Sequence, residues 1–236
     1  MRPFLFNLIF YPFSITYAAV MLPCLMTKRS THWGIHRWTY MNLWIMRVVL
    51  GLDYRITLKA KLPVEPAIYA CKHQSAWETI AFWVLVPNAI FVMKRELYAI
   101  PFIGWWIRRA GNIAIDRSAG MGAVKQLIRE GKERVAEGYN IVIFPEGTRT
   151  KMGETTEYLS GVTALYKSLG VPIVPVAHNA GQFWPRNSLW KKAGVIEVVM
   201  LEAIPAGENS KEFVAHLQGK IEAECAKLSS PLEVAG

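Results

Sequence analysis

The strongest constraint on the fold is an apolar segment near the amino terminus, residues 4–26 (FLFNLIFYPFSITYAAVMLPCLM), which contains no charged side chain. A helix of about 20 apolar residues can cross the hydrocarbon core of a bilayer. Pro12 and Pro23 are expected to kink or end this helix. A second apolar stretch, residues 38–52, carries Arg47 as its one charge and is short for a straight span. Two helices that dip into one leaflet therefore fit at least as well as one crossing helix.

A cleaved signal peptide is the alternative interpretation of this segment. It is disfavoured because only Arg2 supplies a preceding charge and no clear small-residue cleavage site follows the apolar run. A basic loop is expected between the two apolar stretches, formed by Lys28, Arg29, His32, His36 and Arg37. By the positive-inside tendency, this loop is cytoplasmic or rests on anionic headgroups.

From about residue 56, short apolar runs alternate with longer amphipathic ones, a pattern typical of a layered α/β domain. We predict membrane-anchoring helices in residues 1–54 and an α/β domain in residues 55–236. The predicted strands are 66–71, 89–93, 112–116, 140–144, 172–177 and 195–201. The predicted helices are 76–86, 121–137, 159–169 and 211–227.

Composition narrows the class of partner. A net charge of +9 suits nucleic acid, an anionic membrane surface or phosphorylated substrates. Nine tryptophans favour the membrane, because the indole ring prefers the headgroup zone. No helix-turn-helix, zinc-finger or RNA-stacking signature is present, so no nucleic-acid partner is expected. Three widely spaced cysteines (Cys24, Cys71 and Cys225) predict free thiols in a reducing compartment.

The segment KHQSAWET contains the first group with recognisable chemistry, His73 followed five residues later by Glu78. A histidine is the usual proton acceptor at neutral pH, and a carboxylate on its second nitrogen would hold the required tautomer. The two side chains can meet if His73 ends a strand and Glu78 lies in the first turn of the next helix. The alternative is structural: Ser75 and Glu78 have capping-box spacing, and His73 is then a buried, hydrogen-bonded histidine.

The segment FPEGTRT places Gly147 and Arg149 at a turn that follows a predicted strand. Gly147 permits a positive φ, and the Arg149 guanidinium suits bidentate phosphate binding. An ordinary turn with a surface arginine remains the alternative. Residues 94–129 add a basic, aromatic-rich stretch that suits phospholipid headgroups. His32 and His36 have metal-ligand spacing but no third ligand nearby, so no metal is expected.

Four ordered blocks together resemble one family. They are KHQSAWE, KRELYAIPFIGWWIRRAGNIAIDR, FPEGTRT and VPIVPVAHNAG, and they extend from about residue 71 to residue 181. They resemble the 1-acyl-sn-glycerol-3-phosphate acyltransferases of bacterial phospholipid synthesis. Two positions depart from the commonest family pattern: Glu78 replaces an aspartate, and Lys72 stands where asparagine is frequent.

The resemblance implies a mixed central sheet flanked by helices, and a role for each matching residue. His73 would deprotonate the sn-2 hydroxyl of lysophosphatidic acid, and Glu78 would orient His73. Acyl-CoA or acyl carrier protein would be the thioester donor, phosphatidic acid the product, and no metal or organic cofactor is implied. Among the remaining predicted site residues, Lys94 and Arg149 match the family's basic positions. Lys94 and Arg149 would hold the phosphate, Arg117 is a weaker candidate, Glu146 would brace the loop, and backbone N–H groups around Gly147 and Thr148 would stabilise the oxyanion.

Three other functions stay open at this point. The acceptor could be a different lyso-lipid, such as a lyso-ornithine lipid or lysophosphatidylcholine, because related enzymes also use His-x-x-x-x-Glu. The chain could instead be a non-catalytic membrane-binding protein of the same fold, or a hydrolase that activates water with the same histidine. The resemblance further implies a location at the inner (cytoplasmic) membrane, with the active site facing the cytoplasm or its leaflet.

Overall fold

The computed structural model describes residues 1–208 and 210–229. The strands within these residues are β1 (Leu52–Leu58), β2 (Ile68–Cys71), β3 (Ala89–Lys94), β4 (Ile113–Ile115), β5 (Asn140–Ile143), β6 (Ile173–His178) and β7 (Gly194–Met200). The helices are α1 (Arg2–Val20), α2 (Lys28–Ile45), α3 (Trp77–Leu85), α4 (Ile103–Arg109), α5 (Met121–Ala136), α6 (Ser160–Leu169), α7 (Ala180–Phe183) and α8 (Ser210–Ser229).

The described strands form one mixed seven-stranded sheet in the order β1-β7-β6-β2-β5-β3-β4. From β6 to β4 all neighbours are parallel, with β2 at the centre between β5 and β6. Strand β7 runs antiparallel to β6 and carries β1 parallel to itself at the edge. The predicted layered α/β fold with a mixed central sheet is therefore confirmed.

Successive side chains of a strand point to opposite faces of the sheet, and different helices cover the two faces. In β2, Ile68 and Ala70 pack in a cluster with residues of α5, α6 and α8. Tyr69 and Cys71 point to the opposite face, where they join a cluster with residues of α1, α2 and α3. Because both faces are covered, β2 is apolar at every position, as expected for a central parallel strand.

The six predicted strands and four predicted helices all match observed elements. Strand β1 and helices α4 and α7 were not predicted. In β1 the side chains after Leu52 are half-buried or exposed, which is the pattern of an edge strand and gives little apolar signal. The predicted division between residues 54 and 55 falls inside this strand.

The amino-terminal region forms two helices, but the predicted basic loop between them is wrong. Helix α1 continues through Pro12, and a short 3₁₀ helix that includes Pro23 turns the chain towards α2. The basic residues lie within α2, which begins where Thr27 caps the N–H of Ser30. Trp106 packs so closely on α2 that position 34 needs a glycine, since an added Cβ would lie 2.8 Å from the Trp106 ring. Among the described helices, α1 alone is long and apolar enough to cross a membrane, by length and composition.

Candidate active site

The predicted site residues gather at one edge of the sheet. Strands β2, β5, β3 and β4 are parallel neighbours, so their carboxyl ends meet at the same edge. His73 follows β2, residues 144–149 follow β5, Lys94 ends β3 and Arg117 follows β4. Residues that are far apart along the chain therefore lie side by side at this edge of the sheet.

The His73 and Glu78 side chains are in direct contact. Nδ1 of His73 lies 2.9 Å from Oε1 of Glu78. His73 stands two residues beyond β2, and Glu78 is in the first turn of α3, which is the arrangement that lets residues five apart meet. The His73 ring stacks on Phe144, with ring centroids 4.1 Å apart. The loop from β5 thus fixes the plane of the imidazole.

The contacts of Glu78 determine which histidine nitrogen is free. Oε1 of Glu78 also accepts the backbone N–H groups of Gln74, at 2.9 Å, and Ser75, at 2.7 Å. An acceptor of this kind requires a donor at Nδ1 of His73, so the neutral ring carries its hydrogen there. Nε2 then keeps its lone pair, and the side chain, 13% exposed, lines the cavity beside it. This is the tautomer that a general base needs.

Glu78 is ionised although it is completely buried. Burial by itself raises the pKa of a carboxyl group, but the hydrogen bond from His73 and the bond from the Ser75 N–H outweigh it and hold the pKa of Glu78 below its ordinary value. The structural alternative is also partly correct, because Glu78 braces the turn before α3 through two backbone N–H groups. Glu78 therefore supports both the imidazole and the local backbone.

A buried ion cluster supports the backbone of His73 from behind, through two residues that sequence reasoning missed. Nζ of Lys72 lies 2.8 Å from Oε1 of Glu146 and 2.7 Å from Oε1 of Glu222. Oε2 of Glu146 accepts the backbone N–H of His73 at 2.8 Å. The two carboxylates outweigh the effect of burial and raise the pKa of Lys72, which stays protonated. The one sequence signal was Lys72 in a place where the family pattern has asparagine; Glu222 on α8 gave none.

His178, at the end of β6, was also missed. Its Nε2 lies 2.8 Å from the carbonyl oxygen of Lys72, and its Nδ1 accepts the N–H of Ala180 at 3.2 Å. Burial lowers the pKa of His178, so the ring is neutral with its hydrogen on Nε2. His178 therefore holds the chain just before His73 and does not compete for Glu78.

The loop after β5 turns sharply at Gly147, whose φ is +68°. The N–H of Gly147 donates to the carbonyl oxygen of Phe144 at 2.9 Å, so it is already engaged. The backbone N–H groups of Thr148 and Arg149 make no hydrogen bond within residues 1–208 and 210–229. Both residues line the cavity, so the donors available for an oxyanion are those after Gly147.

Cationic side chains border the same cavity. Lys94 and Arg149 line it, and neither forms an ion pair with any described residue. Arg117 also lines it but donates from Nη1 to the carbonyl oxygen of Gly147. Glu146 does not line the cavity, because it faces the Lys72 cluster instead. Lys94 and Arg149 are therefore free to bind an anionic group, and so is Arg186, which lines the cavity as well.

The cavity has a volume of about 1020 Å³ and extends from His73 into the apolar space under the amino-terminal helices. Its apolar lining includes Tyr17, Ile35, Trp38, Trp83, Phe91, Trp106, Leu127 and Leu159. The cavity thus offers both cationic and apolar side chains, which suits an amphipathic ligand.

The described side chains include no group of three or more His, Cys, Asp or Glu residues placed to hold a metal ion. His32 and His36 both lie on α2, with ring centroids 6.4 Å apart. Nε2 of His32 lies 2.9 Å from the carbonyl oxygen of Ala110, and its ring stacks on Tyr139. These contacts give His32 a packing role.

Comparison with known proteins identifies relatives. Residues 53–179 match the Acyltransferase family. The chain is 36% identical over 208 residues to the 1-acyl-sn-glycerol-3-phosphate acyltransferase of Pseudomonas aeruginosa, covering 88% of this chain and 81% of that protein. It is 30% identical over 153 residues to the lyso-ornithine lipid O-acyltransferase of the same organism, covering 64% of this chain and 54% of that protein. The crystal structure of the 1-acyl-sn-glycerophosphate (LPA) acyltransferase of Thermotoga maritima matches with a TM-score of 0.78 over 99% of this chain and 100% of that chain, at 18% identity.

Proposed function

This chain belongs to the Acyltransferase family and is an acyltransferase, and we propose that it transfers a fatty acyl group from a thioester to the sn-2 hydroxyl of 1-acyl-glycerol-3-phosphate. The product is phosphatidic acid. The observation that carries the proposal is the His73–Glu78 pair, whose free Nε2 borders a cavity lined by both cationic and apolar side chains. These features match an acceptor with a phosphate, a nearby hydroxyl and a long hydrocarbon chain.

In the proposed reaction, Nε2 of His73 removes the proton from the acceptor hydroxyl as its oxygen attacks the thioester carbonyl. Glu78 stabilises the imidazolium that forms, since its ionised carboxylate contacts Nδ1. The tetrahedral intermediate then collapses, the carbon–sulfur bond breaks, and His73 returns the proton to the thiolate. An ester and a free thiol are formed, and no covalent acyl-enzyme or cofactor is required.

The loop after β5 supplies the polar contacts for this reaction. The free N–H groups of Thr148 and Arg149 are the proposed donors to the oxyanion, in place of the engaged N–H of Gly147. The side chains of Lys94 and Arg149 hold the acceptor phosphate, and Arg117 stabilises the loop through the Gly147 carbonyl. Glu146 contributes through the His73 backbone and makes no contact with the substrate.

We further propose that the protein acts at the cytoplasmic membrane, with its site facing the cytoplasmic leaflet. Helix α1 exposes a row of large apolar side chains formed by Phe4, Leu8, Tyr11 and Ile15. Water solvates such a row poorly, whereas a bilayer covers it. The cavity reaches Tyr17 on this helix and Trp38 on α2. An acyl chain could thus pass from the membrane to His73 without crossing water.

A lyso-ornithine lipid is the second candidate acceptor, favoured by the 30% identity to an enzyme of that name. Such a lipid carries an amine and a carboxylate where lysophosphatidic acid has a phosphate. The free cations that line the cavity, Lys94, Arg149 and Arg186, favour the more highly charged phosphate. Competition between the two acceptors for limiting enzyme distinguishes them directly.

The first experiment measures lipid products of purified protein in detergent, with lysophosphatidic acid and either acyl-CoA or acyl carrier protein thioester as donor. We expect phosphatidic acid from the wild type, and turnover reduced about 10²- to 10⁴-fold in His73→Ala and Glu78→Gln. Release of free fatty acid without acceptor would instead indicate a hydrolase. No product from either donor with any lyso-lipid acceptor, from a folded protein, would contradict the proposal.

The phosphate contact has its own test. Arg149→Ala should raise KM for lysophosphatidic acid at least tenfold, because a charge-assisted bidentate bond is worth about 1.5–3 kcal/mol. Arg149→Lys should recover part of the loss. Arg95→Ala is the control, since Arg95 is an exposed cation outside the cavity lining. Equal effects of the Arg149→Ala and Arg95→Ala changes would show a general loss of positive charge instead of a specific site.

A further inference from the structure

We infer that the loop of residues 184–192 is a second membrane contact, which inserts Leu189 and Trp190 into an anionic bilayer beside α1. The inference rests on the membrane association in the proposed function and names a surface outside the amino-terminal helices. The two side chains are 69% and 74% exposed, and they are adjacent in sequence. Two neighbouring large apolar side chains at a loop tip are unusual on a surface that faces only water.

The base of this loop is fastened to α1. Nζ of Lys191 lies 2.8 Å from Oδ1 of Asn7 and 4.4 Å from the centre of the Trp184 ring. Trp184 itself is buried, in edge contact with Phe6 and Phe10 of α1 at centroid distances of 5.7 and 6.3 Å. The loop and the amino-terminal half of α1 thus form one packed unit.

Hydrogen bonds within the loop fix the conformation of its tip. The N–H of Ser188 donates to the carbonyl oxygen of Pro185 at 3.2 Å, and the N–H of Trp190 donates to Oγ of Ser188 at 3.0 Å. These bonds satisfy the turn without help from the side chains of Leu189 and Trp190. Because the loop is ordered in this way, its apolar tip is a built feature of the surface.

The tip is continuous with the exposed row of α1. Asn7, which bonds to the loop, lies three residues after Phe4 and four before Tyr11, so all three share one side of the helix. Phe4 and Tyr11 are both exposed. A bilayer that covers these side chains would therefore also meet Leu189 and Trp190.

Charge and chemistry favour a lipid surface over a protein partner. Arg186 and Lys192 flank the tip, are exposed, and form no ion pair with any residue in the described part of the chain. Basic residues next to an inserting apolar tip are attracted to anionic headgroups. A tryptophan also prefers the interface, where its ring is buried and its N–H stays hydrated. Arg186 and Asn187 of the same loop line the cavity, which places the tip next to the proposed lipid site.

The test labels single cysteines with an environment-sensitive fluorophore. Cys24→Ala removes the one half-buried native thiol, and Cys71 and Cys225 are buried. Cysteines are introduced at Trp190, at Leu8 on α1, and at Val64, which is 90% exposed and precedes the amino end of β2, away from His73. Vesicles of phosphatidylcholine and phosphatidylglycerol are added, with and without brominated acyl chains.

We expect a blue shift and bromine quenching at positions 190 and 8, and neither at position 64. A shift at position 8 without one at position 190 would overturn the inference and leave membrane association through α1 intact. No shift at either position would overturn the membrane part of the proposed function as well. The two failures are therefore distinguishable.

A second measurement uses the double variant Leu189→Ser/Trp190→Ser. Its affinity for the same vesicles should fall at least tenfold, while acylation in detergent micelles stays unchanged, because neither side chain lines the cavity. Val64→Ser is the matched control and should bind vesicles like the wild type. Wild-type vesicle affinity in the double variant would overturn the inference. If the double variant kept its vesicle affinity but lost self-association, the tip would be a protein–protein contact. That result would also overturn the inference.

Discussion

At the scale of single residues, Oε1 of Glu78 accepts hydrogen bonds from the His73 imidazole and from two backbone N–H groups. One oxygen thus orders both the proposed base and the turn that carries it. A shorter aspartate would have to approach the turn more closely to make the same contacts. This geometry explains how a glutamate can occupy this position while the imidazole stays aligned.

The first prediction concerns the pH dependence of stability. The pKa of Glu78 lies below its ordinary value of 4.5 in the folded protein, so the unfolded chain takes up this proton at the higher pH. The free energy of unfolding contributed by Glu78 is therefore present above about pH 4.5 and is lost as pH falls through the folded pKa. Glu78→Gln should flatten this part of the stability curve. Urea unfolding in detergent between about pH 6 and 3 measures it, and parallel curves for the two proteins would contradict the prediction.

The second prediction concerns Gly147. An alanine here would be strained at a φ of +68°, and its Cβ would collide with Cδ1 of Leu159. Gly147→Ala should therefore shift the loop and lower kcat/KM at least tenfold. Gly153→Ala is the control, because its φ is +76° but no atom lies within 4 Å of the added carbon. It should lose about 1–2 kcal/mol of stability, the cost of a side chain in the left-handed region, and keep its activity. Equal activity losses in both variants would assign the effect to backbone strain alone.

At the scale of elements, each motif at the site follows the carboxyl end of a parallel strand, and α8 closes the site from behind. Glu222 reaches Lys72 from α8, and Lys72 in turn holds the carboxylate that accepts the His73 N–H. The carboxy-terminal helix thus contributes to the position of the proposed base without touching the cavity.

The third prediction tests this link. Lys72→Met should cost about 3–5 kcal/mol, because it leaves the buried Glu146 carboxylate without its cation. Glu222→Gln should cost less, since the Glu222 side chain is 21% exposed and Lys72 keeps its bond to Glu146. Glu212→Gln, at an exposed position on the same helix, is the control. Thermal unfolding ranks the variants, and a Lys72→Met protein as stable as the wild type would show that the cluster is dispensable.

At the scale of the whole molecule, an α/β domain with a charged active edge is joined to two helices with an exposed apolar surface. The cavity crosses this junction, since it is lined by residues of α1 and α2 as well as by His73. The proposed substrate likewise combines a charged group with a long apolar chain.

The fourth prediction follows from this division. Membrane attachment through Phe4, Leu8, Tyr11 and Trp44, all exposed, depends on apolar contact, which salt does not screen. Washing membranes with about 1 M salt, where the Debye length is about 3 Å, should leave the protein bound, and mild detergent should release it. Quantitative blotting of the pellet and supernatant checks this. Release by salt alone would show that the net charge of +9 is the main attachment.

Some features were determined by the sequence alone because their signals are local. The apolar run of β2, the helical period of α5, the uncharged run in α1 and the four motif blocks are each contained in short segments, so the fold class and His73 with Glu78 could be predicted. Strand β1 was missed because an edge strand with exposed side chains has little apolar pattern. The first part of α2 was predicted as a loop because its basic residues and Gly34 give little helical pattern, although Thr27 caps the helix.

The tertiary structure alone decided which groups are free and which are engaged. The pairing of Lys72 with Glu222 joins residues 150 positions apart, and the contact of His178 with the Lys72 carbonyl spans 106. No local pattern encodes such contacts, because they arise when parallel strands and a distant helix pack on the same sheet. The N–H of Gly147 is engaged within its own turn by the carbonyl of Phe144, whereas the position of the unbonded N–H groups of Thr148 and Arg149 beside the cavity depends on the packed sheet. Hydrogen-bond partners depend on positions in space, and the chain acquires those positions only when the sheet is assembled.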